Sequence, residues 1–148
     1  MKKIINTVLL VCASLLTLSS CSVDSNSEYP KLINIDFIVT ATKQTTTSRI
    51  ETSIITRSNE NGVSSLDIKS SSYSNSHVPF EKKIIQQSIP SFAVLGLDYQ
   101  DDLILNLDDA FEPYSVNLEI KIDDKIVADK TVIIDTEGKV VNLKYDFE

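Results

Sequence analysis

From residue 33 onward the chain alternates between apolar and polar positions. Ile33, Ile35, Phe37, Val39 and Ala41 take every second place, with Asn34, Asp36, Thr40 and Thr42 between them and Ile38 alone out of phase. Successive side chains of a strand point to opposite faces, so this period of two predicts a half-buried β-strand. The same signal is clearest near the end of the chain. Val116, Leu118, Ile120 and Ile122 share one face, opposite Asn117, Glu119, Lys121 and Asp123. Asp123-Asp124-Lys125 then turns the chain into a strand over 126–134, and Asp135-Thr136-Glu137-Gly138 turns it again into 140–147. Val141, Leu143, Tyr145 and Phe147 form the apolar face of that last strand. Three strands joined by tight turns predict an antiparallel meander, with Tyr145 in the core.

The middle of the chain is more polar. Residues 45–76 are dominated by Ser and Thr but carry strand-like pieces at 50–56 and 63–68. Asn59-Glu60-Asn61-Gly62 lies between them, and Gly62 takes a positive φ without steric cost, so a hairpin is expected. Its low apolar content suits a sheet edge or a solvated face. The serine run at 70–76 reads as a loop. Pro79, Pro90 and Pro113 punctuate the second half of the chain, leaving strands at 80–89, 92–97 and 103–107. With eight or nine strands and no convincing helix, the chain is expected to be all-β, a single antiparallel immunoglobulin-like β-sandwich of about eight strands. Periodicity identifies strands but not how a sheet closes, so a barrel remains the alternative.

Before this domain stands a different pattern. Lys2 and Lys3 precede an apolar run over 4–18, which leads into Leu18-Ser19-Ser20-Cys21. A basic start, an apolar centre and small residues at a cleavage point are the layout of a secretory signal. The run is also shorter than the roughly 20 apolar residues that a spanning helix requires. The four-residue motif resembles the lipobox of bacterial lipoproteins, with Leu18, Ser19 and Ser20 as the recognition residues. The resemblance implies cleavage before Cys21 and acylation of its thiol, and two or more acyl chains anchor stably where one is marginal. Ser22, Asp24 and Glu28 make the segment similar to Bacteroidetes lipoproteins, which implies an outer-membrane location on its periplasmic or outer face. The expected organisation is a signal peptide over 1–20, a lipidated flexible tether over 21–31 closed by Pro30, and a β-sandwich over 32–148.

A second resemblance lies in residues 80–147. The acidic pair Asp101-Asp102, the strand led by Tyr114 and the Ile122-Asp123-Asp124-Lys125-Ile126-Val127 hairpin look like the small β-sandwich domains of the MmpS-like family and related short lipoproteins. That family's turn usually has glycine where Asp124 stands. The resemblance implies an accessory role beside a transport or envelope complex.

Charge and composition narrow the chemistry. Removing residues 1–20 takes away Lys2 and Lys3 but no acid, so the net charge of −7 over 148 residues becomes −9 over 128. Arg49 and Arg57 are the only arginines. So acidic a chain lacks the clustered cations that grip phosphates, which excludes nucleic acid as the expected partner. The lipobox resemblance implies that Cys12 leaves with the signal and Cys21 carries lipid, which would leave no thiol for a disulfide, a nucleophile or a zinc site. His77, the single histidine, sits beside the serine run without a G-x-S-x-G elbow and reads as a solvated loop residue. No cofactor motif is present.

Asp98, Asp101, Asp102, Asp108, Asp109 and Glu112 are the candidate metal ligands, since oxygen donors crowded into loops at one end of a sandwich suit Ca²⁺. The D-x-D-x-D-G spacing is missing, however. The two aspartate pairs also flank a predicted five-residue strand that would hold them about 17 Å apart, favouring solvated strand ends. Two of these acids could alternatively serve glycoside hydrolysis, but no tryptophan offers a sugar platform. Tyr73, Tyr99 and Tyr114 are expected near loops, where exposed aromatics anchor partners. The Ser/Thr-rich strands could present an edge to an added strand. The combined expectation is a non-enzymatic cell-envelope lipoprotein, held to the membrane by lipid on Cys21, whose sandwich binds an envelope protein or a small ligand. A Ca²⁺-dependent or hydrolytic enzyme using the acidic loops is one alternative, and an adhesive structural subunit is the other.

Overall fold

The computed structural model describes residues 29–43, 47–57, 65–102 and 110–147. The eight strands are β1 (Lys31–Ala41), β2 (Ser48–Arg57), β3 (Ser65–Ser76), β4 (Phe80–Ile89), β5 (Ala93–Asp101), β6 (Tyr114–Ile122), β7 (Lys125–Ile134) and β8 (Val140–Asp146). They form two four-stranded antiparallel sheets, ordered β4-β1-β6-β7 and β3-β2-β5-β8. The architecture is a β-sandwich with two separate sheets, and the barrel alternative falls away.

The alternating pattern builds the core as expected. Ile35, Phe37 and Val39 of β1 face Ile50 and Ile54 of β2, Leu95 and Leu97 of β5, and Val116, Leu118 and Ile120 of β6 in one buried cluster. Both central strands of each sheet therefore contribute every second residue to a single interior layer. At about 25 cal/mol per Å² of apolar surface removed from water, this layer is the main source of stability in a domain without disulfides.

Two expectations are corrected. The serine run at 70–76 is not a loop but the second half of β3, paired with β2 through Ser70↔Ser53, Ser72↔Glu51 and Tyr73↔Ile50. As the edge of its sheet, β3 needs only one row of hydrogen bonds and can leave small polar side chains in water. Tyr73 holds it down through a ring contact with Phe80, 5.0 Å between centroids. Two bulges, opposite Arg49 and between Ile54 and Ile55, distort the exposed edge.

The predicted meander is also cut short. β6 and β7 form the expected hairpin, but β8 crosses to the other sheet and pairs with β5 (Leu97↔Leu143, Tyr99↔Val141). β7 buries little beyond Ile134, so a strand added to its free edge would leave Val141, Leu143 and Phe147 short of cover. Beside β5 those three residues join the core. The residues between Ile134 and Val140 span the gap of about 10 Å between packed sheets.

The strand directions define two ends. At one end, the chain enters at Tyr29, where β1 starts; β2, β4, β6 and β8 finish there, and β3, β5 and β7 begin. The Tyr29 and Phe147 rings meet edge to face at 6.4 Å, so both chain termini of the sandwich lie at this end. The opposite end carries the connections β1–β2, β3–β4, β5–β6 and β7–β8.

Candidate functional site

The end opposite Tyr29 contains a buried polar chain between the sheets. Leu95, Leu97, Tyr99 and Asp101 share the inward face of β5, while Tyr114 heads the inward face of β6. The Tyr99 and Tyr114 hydroxyls lie 2.7 Å apart, and Ser48 Oγ donates to Tyr99 at 3.2 Å. Tyr114 also hydrogen-bonds Asp101. Ser48 donates to Tyr99, and the Tyr99 and Tyr114 hydroxyls share one hydrogen bond in which either can be the donor. Tyr99, Ser48 and Asp101 are fully buried and Tyr114 nearly so. Burial above all, then the Tyr99 hydrogen bond and the nearby Asp101 charge, pushes the Tyr114 hydroxyl far above the ordinary tyrosine range.

Tyr99 and Tyr114 are thus not the exposed anchors expected of them. They sit on the core parity of their strands, a signal visible in Leu95-x-Leu97-x-Tyr99 and Tyr114-x-Val116-x-Leu118. Tyr73 is half-buried, and His77 is exposed at the same end as the polar chain. Tyr145 packs against the core and contacts Phe147 at 5.0 Å.

The candidate metal ligands are dispersed. Asp98 lies on the outer face of β5 and accepts from Asn142 Nδ2 at 2.6 Å. Asp101 points inward to Tyr114. Asp102 faces Arg49, 3.5 Å away, and the exposed Glu112 pairs with Lys43 at 3.5 Å. Asp108 and Asp109 lie outside the described residues, as do Leu18, Ser19, Ser20 and Cys21. Among the described residues no three acidic, histidine or cysteine side chains come close enough to hold one metal ion. No helix among them is long and apolar enough to cross a membrane.

The outer face of the β3-β2-β5-β8 sheet is the other polar surface. Glu51 and Asp98 stand directly opposite each other in register, an arrangement that is repulsive unless donors intervene. Ser72 Oγ donates to Glu51 at 3.3 Å, and Asn142 serves Asp98. Two open depressions flank this pair, one toward Arg49, Gln100 and Asn142 and one toward Ser53, Ser70 and Ser72. Gly96 lies opposite Ser53 in register, and a Cβ there would collide with Ser53 Oγ. The outer face of the other sheet is instead occupied by its own ion pairs, Lys83–Asp36 at 3.4 Å and Lys121–Glu119 at 3.0 Å. The Glu119 hydrogen bond raises the Lys121 ammonium above its usual range.

The Ser48–Tyr99–Tyr114–Asp101 chain is missed by a reading that takes the aspartates as one linear cluster. Strand parity separates them: Asp98 and Asp101, three residues apart, must face opposite sides. Compared with known protein families, curated proteins and solved structures, the chain finds no match.

Proposed function

We propose that the chain is a cell-envelope lipoprotein whose β-sandwich is a non-enzymatic binding module, carried on the membrane by lipid at Cys21 and serving an envelope or transport complex as an accessory. The observation that carries this reading is the placement of the domain's entry point. Residues 21–28 lead from Cys21 to Tyr29, and Tyr29 lies at one end of the sandwich, against Phe147. An anchor at Cys21 therefore leaves the far end, with Arg49, Asp102, Lys43, Glu112 and His77, directed away from the bilayer. The polar face around Glu51 and Asp98 stands along its side, equally accessible to an envelope protein. Anchoring confines these surfaces to a thin shell and raises their effective concentration toward membrane-bound partners.

The anchor is tested by replacing its acceptor. Cys21→Ser is expected to move the protein from the membrane fraction to the soluble fraction and to abolish incorporation of labelled palmitate. A Cys21→Ser protein that still sediments with membranes would overturn the reading. Cross-linking the lipidated form and identifying what co-purifies tests the binding role. Capture of an envelope protein through the far end or the Glu51–Asp98 face supports it, and loss of that capture is expected on charge reversal at Arg49.

A further inference from the structure

We infer that the end of the sandwich at which Tyr29 enters rests directly on the lipid surface, through Leu32, Leu66 and Phe92. This rests on the anchor at Cys21 proposed above. Leu32 and Leu66 are the second residues of β1 and β3, which start at this end, and Phe92 lies in the turn just before β5. They are 64%, 68% and 44% exposed, respectively. Turns and strand starts of a solvated domain are normally polar, so three large apolar side chains at one end are an unmatched surface. The exposed Ile133 and Val140 lie at the other end, Ile126 stands level with Asp36 midway along β1, and Ile85 is thrown outward midway along β4 by the bulge opposite Asn34.

Phe92 carries a further sign. Its φ of 57° is a left-handed conformation that a bulky side chain rarely adopts. The backbone is held there by the Arg57 amide, which donates to the Phe92 carbonyl at 3.1 Å. The ring gains no core position in return and is directed to the surface.

Tether length identifies the occupant as lipid. Eight residues from Cys21 to position 28 reach at most about 27 Å when fully extended. A protein partner at this end would have to be wedged between the domain and the bilayer to which it is tied. Charge does not supply the attraction. Lys31, Arg57 and Lys125 at this end are interleaved with Asp123, Asp124 and Asp146, and Arg57 already pairs with Asp146 at 3.1 Å. Contact is therefore apolar and does not require anionic lipid.

The chain has no tryptophan, so a single substitution provides a clean reporter. The full-length lipidated protein bearing Phe92→Trp is bound to phosphatidylcholine vesicles with brominated acyl chains, with Val140→Trp as the opposite-end control. Apolar residues of interfacial segments sit about 5–10 Å into the headgroup and acyl boundary, so bromine near that depth should cut Phe92→Trp emission about twofold. Val140→Trp emission is expected to be unchanged. Leu66→Trp gives the same readout should the turn not accept tryptophan. Unquenched emission from both Phe92→Trp and Leu66→Trp, in protein that floats with the vesicles, would overturn the docking and leave the anchor standing. Vesicle-treated protein that does not float at all would overturn the anchor and the docking together.

Discussion

Tyr114 shows how far a single hydroxyl reaches in this domain. Its hydroxyl bonds to Tyr99 and to Asp101, joining the two sheets across their interface. Tyr114→Phe leaves both partners buried and short of a hydrogen bond, so unfolding in urea at neutral pH should become easier by about 1–3 kcal/mol. The pH dependence has a definite sign. A folded-state hydroxyl held far above the ordinary tyrosine range stays protonated while the unfolded chain ionises. Its contribution is therefore complete below the unfolded tyrosine pKa and is lost as pH rises above it, at about 1.4 kcal/mol per pH unit. Urea titrations between about pH 9 and 11 should show this decline, and Tyr114→Phe should reduce its slope by about one proton. An unchanged slope would show that Tyr114 ionises without unfolding. Asp135 works in the other direction: the Lys139 hydrogen bond lowers its carboxyl, so that exposed contact weakens as pH falls.

At the level of elements, the β6–β7 hairpin is legible in the sequence and its closure is strained in a testable way. Asp123 and Asp124 both adopt positive φ, 48° and 64°, the conformation of a two-residue turn that favours Asn or Asp followed by Gly. The Asp123 carboxylate accepts from both the backbone amide and Nδ2 of Asn34 at 3.0 Å. Asp124 makes only a distant contact with Lys83, 3.9 Å, worth little between exposed groups. Asp124→Val should therefore lower stability by about 1–2 kcal/mol, since a β-branched residue resists a left-handed backbone, whereas Asp124→Gly should not lower it. Thermal melts of the two variants decide this, and equal losses would mean that the Asp124 side chain itself matters. β3 escapes the sequence pattern for a complementary reason. Its serines have poor intrinsic strand preference, yet pairing with β2 and the Tyr73–Phe80 contact override that preference. Propensity is a weak guide on an edge, where packing from a single neighbour decides.

On the scale of the whole molecule, the two sheets share one interior and should unfold together. Phe37, fully buried on central strand β1, lies in the cluster that includes residues from both sheets. Phe37→Ala is expected to cost about 3–5 kcal/mol, with far-UV and near-UV signals still changing at the same denaturant concentration. Separate transitions would mean that the sheets are independent units. The sequence by itself determined the inward faces of β1, β6 and β8, because period two is a property of the strand backbone. It also determined the composition limits: an acidic domain without thiols, behind a segment that ends in Leu18-Ser19-Ser20-Cys21. Which strand lies beside which was decided only in three dimensions, since hydrogen-bonded partners are set by the competition to cover apolar faces. That competition sends β8 across to β5, makes β3 an edge, and turns one run of aspartates into an outward Asp98 and an inward Asp101. The same arrangement brings Ser48, Tyr99 and Tyr114 together from three strands, and gathers Leu32, Leu66 and Phe92 at the end where the chain enters. Local sequence carries no distance between such positions, so neither grouping is readable before the sheets are assembled.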